Sequence, residues 1–219
     1  MRPELRDLIL SCSEPFSCQL GEKELEQFSR YLDLILEYNQ KLNLTGISDE
    51  KGIVVKHFID SLAGHQFLKN NWFVADFGAG MGCPGIPLKI LRPSLKLILL
   101  ESNQKKSAFI NQAIRNLKLE NARAVAQRAE DKNFQTSLSG QLNAVLARAL
   151  GKLDLILKLA QPYLKNGGRV IAYKGPQAEA ELEAAKDVIV KLGFRQERIY
   201  DYELALEMGN RKLVMMKKK

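Results

Sequence analysis

Residues 72–90 read WFVADFGAGMGCPGIPLKI, and this stretch decides the fold. The apolar run over residues 72–77 predicts a buried strand, the glycines that follow predict a tight loop, and residues 84–91 predict a helix. Gly78 and Gly80 have no Cβ, so the backbone can turn sharply there and a ligand can lie against it. The stretch therefore predicts a strand–loop–helix unit with a binding site at the loop.

A second apolar run, LKLILL over residues 95–100, ends in a carboxylate, Glu101. A glycine loop after one strand and an acid at the tip of the next are typical of a doubly wound α/β fold that holds an adenosine, since the acid accepts hydrogen bonds from the ribose. We expect Gly78, Gly80 and Glu101 to contact an adenosine-containing cofactor.

Two cofactors fit this loop. Residues 80–85 match the dinucleotide pattern G-x-G-x-x-G, a weak signal by itself. S-adenosylmethionine is favoured because Asp76, at the end of the first strand, can reach the amino end of a methionine. Pro84 and Pro87 remove amide hydrogens where a dinucleotide pyrophosphate would bind, and Glu130, after a third strand, is placed for the adenine edge. A loop that is only a tight turn is the structural alternative.

Strands and helices alternate along the rest of the chain. Five strand–helix units and a terminal hairpin predict a Rossmann-like, class I S-adenosylmethionine-dependent methyltransferase fold of the α/β class, with a seven-stranded, mostly parallel sheet. The predicted strands are 72–77, 95–100, 122–126, 143–147 and 169–173, with an antiparallel C-terminal pair over 195–204 and 211–217. The predicted helices are 84–91, 103–117, 152–164 and 177–192, with a polar loop over 131–140 and a turn at 167–168.

The first seventy residues differ from the rest. Apolar residues at helical spacing predict a helix over 22–42, and Ser48 or Asp49 can cap a second helix that carries Phe58 and Leu62 toward a core. We predict an N-terminal helical segment over 1–70 and a methyltransferase domain over 71–219.

Composition narrows the class of protein. Of 219 residues, 46% are hydrophobic and 26% charged, as expected for a globular protein with a sizeable core. No apolar run is long enough for a membrane span, the N-terminus does not resemble a signal peptide, and three cysteines lack metal-ligand spacing. We expect a cytoplasmic, monomeric protein that binds no metal ion and does not contact a membrane.

Charge is unevenly distributed. Residues 1–50 hold five Lys/Arg and ten Asp/Glu, whereas residues 51–219 hold 28 and 15, so the predicted cofactor-binding part is the basic part. A basic surface attracts a polyanion, which favours nucleic acid as the substrate over a small molecule. A solvated lysine surface without a partner is the alternative.

Arg148 ends the fourth predicted strand, at the edge where ligands bind. The Asn/Asp-Pro-Pro-aromatic clamp for exocyclic amines is missing there, and no cysteine is placed to attack a pyrimidine. An atom that is already nucleophilic, such as guanine N7, is the remaining target. We predict Arg148 as the catalytic residue, with Lys174 and Arg128 as RNA contacts. A structural ion pair for Arg148, a solvated Lys174 and a packed, hydrogen-bonded His57 are the non-catalytic alternatives.

Several motifs together resemble one family. They are DFGAGMGCPGIPLKILRP (76–93), YNQKLNLTGISDEKGIVVKHFIDSL (38–62), AQRAED (126–131), LARAL (146–150) and AYKGPQ (172–177). They are similar to the bacterial small-subunit rRNA methyltransferase family RsmG, also called glucose-inhibited division protein B. Cys83 stands where that family often has a larger apolar residue, and Lys56 where arginine is frequent.

The resemblance implies methyl transfer from S-adenosylmethionine to N7 of a guanine, position 527 in the 530 loop of 16S rRNA, in the small ribosomal subunit. By motif position it implies cofactor contacts at Gly78, Cys83, Ala129, Glu130 and Arg148. A methyltransferase for another RNA site, a nucleotide-sensing RNA-binding module and a nicotinamide-dependent oxidoreductase are the rival functions.

Overall fold

One seven-stranded sheet, in the order β3-β2-β1-β4-β5-β7-β6, organises the computed structural model of the chain, which describes residues 2–219. The strands are β1 Phe73–Phe77, β2 Lys96–Leu100, β3 Ala122–Val125, β4 Leu142–Arg148, β5 Leu164–Lys174, β6 Phe194–Glu203 and β7 Asn210–Lys218. Strands β1 to β5 are parallel, whereas β7 runs antiparallel to both β5 and β6. The predicted seven-stranded sheet with an antiparallel C-terminal pair is confirmed.

Helices cover both faces of the sheet. They are α1 Pro3–Ser13, α2 Glu22–Leu42, α4 Gly85–Leu91, α5 Gln104–Asn116, α6 Lys132–Leu138, α7 Leu153–Ala160, α8 Ala178–Ala184 and α9 Lys186–Lys191. Helix α3 has three consecutive pieces: α-helical Glu50–Ile53, π-helical Val54–Ile59 and α-helical Asp60–Leu62. The Asp49 carboxylate accepts from the Gly52 amide at 2.6 Å, so Asp49 is the residue that caps α3.

Side chains alternate between the two sheet faces, and each face has its own core. On one face, Val74 and Leu99 pack with Phe28 of α2 and Phe58 of α3. On the other face, Phe77 joins the residues that line α7 to α9. The N-terminal helices therefore share a continuous apolar core with the sheet, and the division at residue 70 stays a prediction.

The predicted helix over 152–164 is too long. Helix α7 ends at Ala160, two residues before Pro162, because a proline there has no amide hydrogen for the next helical bond. Strand β5 begins at Leu164 and runs through the predicted turn at 167–168. Gly167 has a φ of +76°, and the register with β4 shifts at this point, so the two glycines form an irregularity inside a strand.

Two further predictions about helices are wrong. The predicted polar loop over 131–140 contains α6, which Asp131 caps through the Phe134 amide at 2.8 Å and which buries Leu138. The predicted helix over 177–192 is two helices, α8 and α9. They meet at the buried Ala185, whose amide hydrogen is shared between the carbonyls of Glu181 and Leu182.

Across residues 2–219, no helix has both the length and the apolar character that a membrane crossing requires. The same part of the chain contains no cluster of three or more His, Cys, Asp or Glu side chains arranged to hold a metal ion.

Candidate active site

The glycine loop after β1 is fixed to the neighbouring strand. The amides of Gly78 and Ala79 donate to the carbonyl of Leu100 at 2.9 and 3.0 Å, and the Gly80 amide donates to Oε2 of Glu101 at 2.9 Å. The predicted ribose acid therefore also anchors the loop. Its second oxygen, Oε1, accepts from the Asn103 amide at 2.9 Å.

Two glycines of the loop are required by close packing. A Cβ on Gly82, whose φ is +105°, would lie 2.6 Å from Ile86 Cδ1 and 2.9 Å from the Tyr31 hydroxyl. A Cβ on Gly85 would lie 2.9 Å from Oδ2 of Asp76. Because real Cβ atoms do not approach neighbours this closely, a larger residue at either position would require the loop or these neighbouring side chains to shift.

Asp76 is fully buried at the end of β1. Its Oδ2 accepts from the Gly85 amide at 2.8 Å, whereas Oδ1 has no hydrogen-bond partner. Burial raises the pKa of the Asp76 carboxyl to about 7, against the lowering effects of the Gly85 amide and the Arg148 charge. A buried acceptor without a hydrogen-bond donor is energetically costly. Because Oδ1 lies near the glycine loop, we expect a bound ligand to supply the missing donor.

A cleft of about 240 Å³, here called the loop cleft, opens at the carboxyl ends of β1 to β3. It brings together the predicted cofactor contacts Gly78, Glu101, Ala129 and Glu130, with Arg128 beside them. Its remaining lining residues are Leu100, Ser102, Gln127, Leu150 and Leu159. The other predicted cofactor contacts, Asp76, Gly80, Cys83 and Arg148, do not line this cleft. The buried Cys83 thiol lies 3.7 Å from the Tyr31 hydroxyl, and burial raises its pKa to about 11.

A second cleft of about 640 Å³, here called the arginine cleft, lies at the ends of β4 and β5. It contains the predicted catalytic Arg148 and the predicted RNA contact Lys174. Its other lining residues are Ile47, Lys56, His57, Asp60, Ala149, Gly151, Tyr173, Gly175, Glu181 and Arg211. The segment 149–151 separates the two clefts, because Leu150 lines the loop cleft and its neighbours on each side line the arginine cleft.

Three groups of α3, two from adjacent residues and one from the next turn, hold the Arg148 guanidinium. Nη1 donates to the Lys56 carbonyl and to Oδ2 of Asp60, both at 3.1 Å, and Nη2 donates to Nδ1 of His57 at 2.9 Å. The Arg148 side chain is 16% exposed and that of Asp60 5%. Both the Lys56 carbonyl and His57 belong to the π-helical piece of α3, a geometry that is common at functional sites.

His57 acts as a neutral acceptor toward Arg148. Since Nδ1 accepts from the guanidinium, Nε2 carries the proton and donates to Oγ1 of Thr45 at 2.8 Å. Burial, followed by the charges of Arg148 and Lys56, lowers the pKa of His57 to about 3. This is the packed, hydrogen-bonded histidine that the sequence favoured over a catalytic one.

Sequence reasoning missed the role of Asp60. Its Oδ2 pairs with Arg148, and its Oδ1 accepts from the Tyr202 hydroxyl at 2.7 Å. These partners lie 88 and 142 residues away in the chain. The only signal in the sequence was the position of Asp60 on the helix that also carries His57.

Lys174 is enclosed, not solvated. Its Nζ donates to the Gly151 carbonyl at 2.5 Å and to Oε2 of Glu181 at 2.6 Å, and its side chain is 8% exposed. Oε2 of Glu181 also accepts from the Leu153 amide at 2.9 Å. Lys174 and Glu181 therefore fix the segment between the two clefts, in which Ala149 has a φ of +54° and Gly151 of +142°.

Comparisons with known proteins agree with this geometry. Residues 24–213 match the family described as GidB: rRNA small subunit methyltransferase G. The chain is 42% identical over 201 residues to the ribosomal RNA small subunit methyltransferase G of Pelotomaculum thermopropionicum, which covers 91% of this chain and 84% of the relative. It is 36% identical over 216 residues to the protein of the same name from Acetivibrio thermocellus, which covers 98% of this chain and 89% of that one.

Among solved structures, the chain is similar to a SAM dependent methyltransferase from Aquifex aeolicus. The TM-score is 0.57 at 16% identity, and the superposition covers 76% of this chain and 93% of the other. This likeness supports the fold of the sheet and its flanking helices.

Proposed function

This chain belongs to the GidB family, rRNA small subunit methyltransferase G, and we propose that it transfers a methyl group from S-adenosylmethionine to N7 of guanine 527 in the 530 loop of 16S rRNA. The observation that carries the proposal is the pair of adjoining clefts with Leu150 between them. The loop cleft has the hydrogen-bond acceptors that an adenosine-containing methyl donor needs. The arginine cleft has a fixed guanidinium that can bind an electron-rich base.

The loop cleft fits S-adenosylmethionine through its donor and acceptor groups. Asp76 does not line this cleft, but its unpartnered Oδ1 at the end of β1 would suit the ammonium of the methionine moiety, which would neutralise the buried carboxylate. Glu101 retains free lone pairs for ribose hydroxyls, since each of its oxygens accepts only one backbone amide. Gly78, Ala129 and Glu130 would surround the adenine, and Gly80 leaves open space beside the loop.

Methyl transfer to guanine N7 does not require the protein to act as a general acid or base. S-adenosylmethionine supplies a methyl group that is already activated by the sulfonium, and the N7 lone pair lies in the ring plane and needs no deprotonation. The chain then has to align the base and place charge correctly. Arg148 would donate to guanine O6 or to a phosphate, as its role of catalytic residue requires.

RNA contacts would extend from both clefts. Lys56 and Arg211 line the arginine cleft, and Arg128 lies exposed at the rim of the loop cleft. Lys174, whose charge is paired with Glu181, would support the RNA-binding cleft by holding the segment 149–151. We expect the protein to act as a monomer on small ribosomal subunits in the cytoplasm, with residues 1–70 as a helical segment beside the methyltransferase domain over 71–219.

The test is methyl transfer from radiolabelled S-adenosylmethionine to small subunits that lack this modification, with the labelled base mapped by cleavage at 7-methylguanine. We expect label at a single guanine of the 530 loop. Label at another base would overturn the site, and absence of label on subunits and on free rRNA, despite measurable cofactor binding, would overturn the substrate. A parallel NADH titration should show no saturable fluorescence change.

A further inference from the structure

Aromatic side chains form a continuous row along β6, the edge strand. Tyr202 stacks on Tyr200 with ring centroids 5.9 Å apart and an interplanar angle of 20°, and Tyr200 meets Phe67 edge-on at 5.5 Å. The guanidinium of Arg198 lies 5.7 Å from the Phe67 ring centroid and 5.8 Å from that of Tyr200. These four residues are here called the β6 ladder.

The β6 ladder begins at the arginine cleft. The Tyr202 hydroxyl donates to Asp60, the carboxylate that pairs with Arg148. Because a strand rises about 3.3 Å per residue, Arg198 lies roughly 13 Å further along β6. The ladder therefore leads from the proposed position of the target base along the edge of the sheet, toward the start of β6.

Arg198 ends the ladder with a charge that no carboxylate neutralises. Within residues 2–219 the ion pairs do not include Arg198, although it is exposed. Arg169 nearby differs, since both oxygens of Glu197 accept from it. Cation–π contact with two rings restrains the Arg198 side chain, so less side-chain entropy is lost when the guanidinium binds an anion.

A hollow of about 280 Å³ lies beside this guanidinium. It is also lined by Gln66, Phe67, Lys69, Met215 and the ion-paired Arg169 and Glu197. Lys69 is a second exposed cation, and the Gln66 amide can both donate and accept. Because Glu197 is already paired with Arg169, the cations left for an anion at this hollow are Arg198 and Lys69. Together with the Gln66 amide and the half-buried Phe67 ring, they suit a phosphate with its ribose. An apolar protein surface would leave the Arg198 charge without a partner.

We propose that the β6 ladder is a second contact surface for the substrate RNA, in which Arg198 binds a backbone phosphate and Tyr200 and Phe67 pack against the adjoining ribose or base. The proposal rests on the proposed function, because it takes the strand that leaves the arginine cleft as its ligand. RNA is recognised in this way by proteins that combine stacked aromatic rings with cations along the backbone.

The experiment measures equilibrium binding of the full-length protein to small ribosomal subunits at several salt concentrations. Binding tests the β6 ladder separately from the proposed function, since the ladder could prove not to bind RNA even if the protein methylates the 530 loop. Mapping the methylated base tests the proposed function independently. The variants are Arg198→Ala and Arg198→Lys. Arg123→Ala is the matched control, because Arg123 is an exposed arginine on β3, the strand at the opposite edge of the sheet.

We expect Arg198→Ala to weaken binding roughly three- to tenfold and to lower the slope of log affinity against log salt by about 0.7 to 0.9, the value for one lost phosphate contact. Arg198→Lys should keep the slope and lose only part of the affinity, and Arg123→Ala should match the wild type. Equal affinities for Arg198→Ala and Arg123→Ala, weaker binding with an unchanged slope, or no binding of subunits by the wild type would each overturn the proposal.

Discussion

The guanidinium of Arg148 has donors to spare. Both hydrogens of Nη1 are used by Lys56 and Asp60, and one hydrogen of Nη2 by His57. A guanidinium has five N–H groups, so two remain for a ligand in the arginine cleft. The contacts with Lys56, His57 and Asp60 thus also fix the direction of the two unused N–H groups. A structural role of Arg148 is therefore compatible with a catalytic one.

Replacing Arg148 separates these roles. Arg148→Lys keeps a charge against Asp60 but cannot reach three acceptors in one plane, so we expect kcat/KM for small subunits to fall roughly a hundredfold or more, with cofactor affinity changed by less than about threefold. Arg148→Ala should lose as much activity and also unfold at a lower temperature, because the buried Asp60 loses its guanidinium partner and keeps only the Tyr202 hydroxyl and the more distant Arg211.

The control for Arg148 is Lys191→Ala, which removes an exposed cation from α9. Its kcat/KM should stay within about twofold of the wild type, as expected for a surface residue. Comparable losses of activity in Arg148→Ala and Lys191→Ala would contradict a special role for Arg148.

Individual site residues were predictable where local sequence decides their position. Arg148 and Glu101 follow strands of a parallel sheet, so the fold places them at the ligand edge. Asp60 and Tyr202 were not predictable, because they meet only after β6 has folded back beside β7, next to α3. Enclosure of Lys174 by Glu181 likewise depends on where α8 packs.

At the scale of elements, the glycine loop depends on a helix from the N-terminal segment. Tyr31 of α2 is fully buried, stacks on Phe58 of α3 with centroids 5.1 Å apart, and donates its hydroxyl hydrogen to the Met81 carbonyl at 2.6 Å. Helix α2 therefore supports the loop from behind. The N-terminal segment contributes to the cofactor site without lining it.

The Tyr31→Phe variant tests this support. It leaves the Met81 carbonyl without its buried donor, which should cost about 1 to 3 kcal/mol of unfolding free energy and weaken S-adenosylmethionine binding severalfold as the loop relaxes. Tyr38→Phe is the matched control on the same helix, because its hydroxyl accepts from Gln112 on α5 and is not in contact with the loop. Calorimetric titration of both variants measures the effect, and equal cofactor affinities would contradict a supporting role for α2.

Helices and strands with a regular spacing of apolar residues were predictable from the sequence, and those with few apolar residues were not. Helix α2 matches its predicted bounds because five apolar residues recur over 21 residues of helix. Helix α6 was missed because its seven residues contain only two apolar side chains, Phe134 and Leu138. The glycines at 167–168 were interpreted as a turn because their place in β5 depends on pairing with β4.

At the scale of the whole molecule, the charge pattern and the fold coincide. The acidic first fifty residues form α1 and α2, which pack behind the sheet on the face shared with α4 and α5. Most of the lining of both clefts comes from the basic remainder of the chain. An approaching polyanion is therefore attracted to the open edge of the sheet more than to the helical face that supports it.

Stability of the whole molecule should depend on the one buried carboxyl with a strongly raised pKa. An unfolded aspartate has a pKa near 4, whereas burial raises that of Asp76 to about 7. Between pH 4 and 7 the folded protein holds a proton that the unfolded chain has released, so the contribution of Asp76 to unfolding free energy falls as pH rises through this window. The loss can reach about 4 kcal/mol and is complete above pH 7.

The Asp76→Asn variant removes this dependence. We expect the unfolding free energy of Asp76→Asn minus that of the wild type to be larger at pH 8 than at pH 5, by several kcal/mol on the same scale. S-adenosylmethionine should bind at least roughly tenfold more weakly, because the ammonium loses its carboxylate. Urea titrations at the two pH values measure the difference. Asp187→Asn, at an exposed aspartate of α9, controls for the change in charge and should show none. A difference between Asp76→Asn and wild type that is the same at pH 5 and pH 8 would mean that Asp76 does not titrate in the folded protein between these values, and would contradict a pKa of about 7.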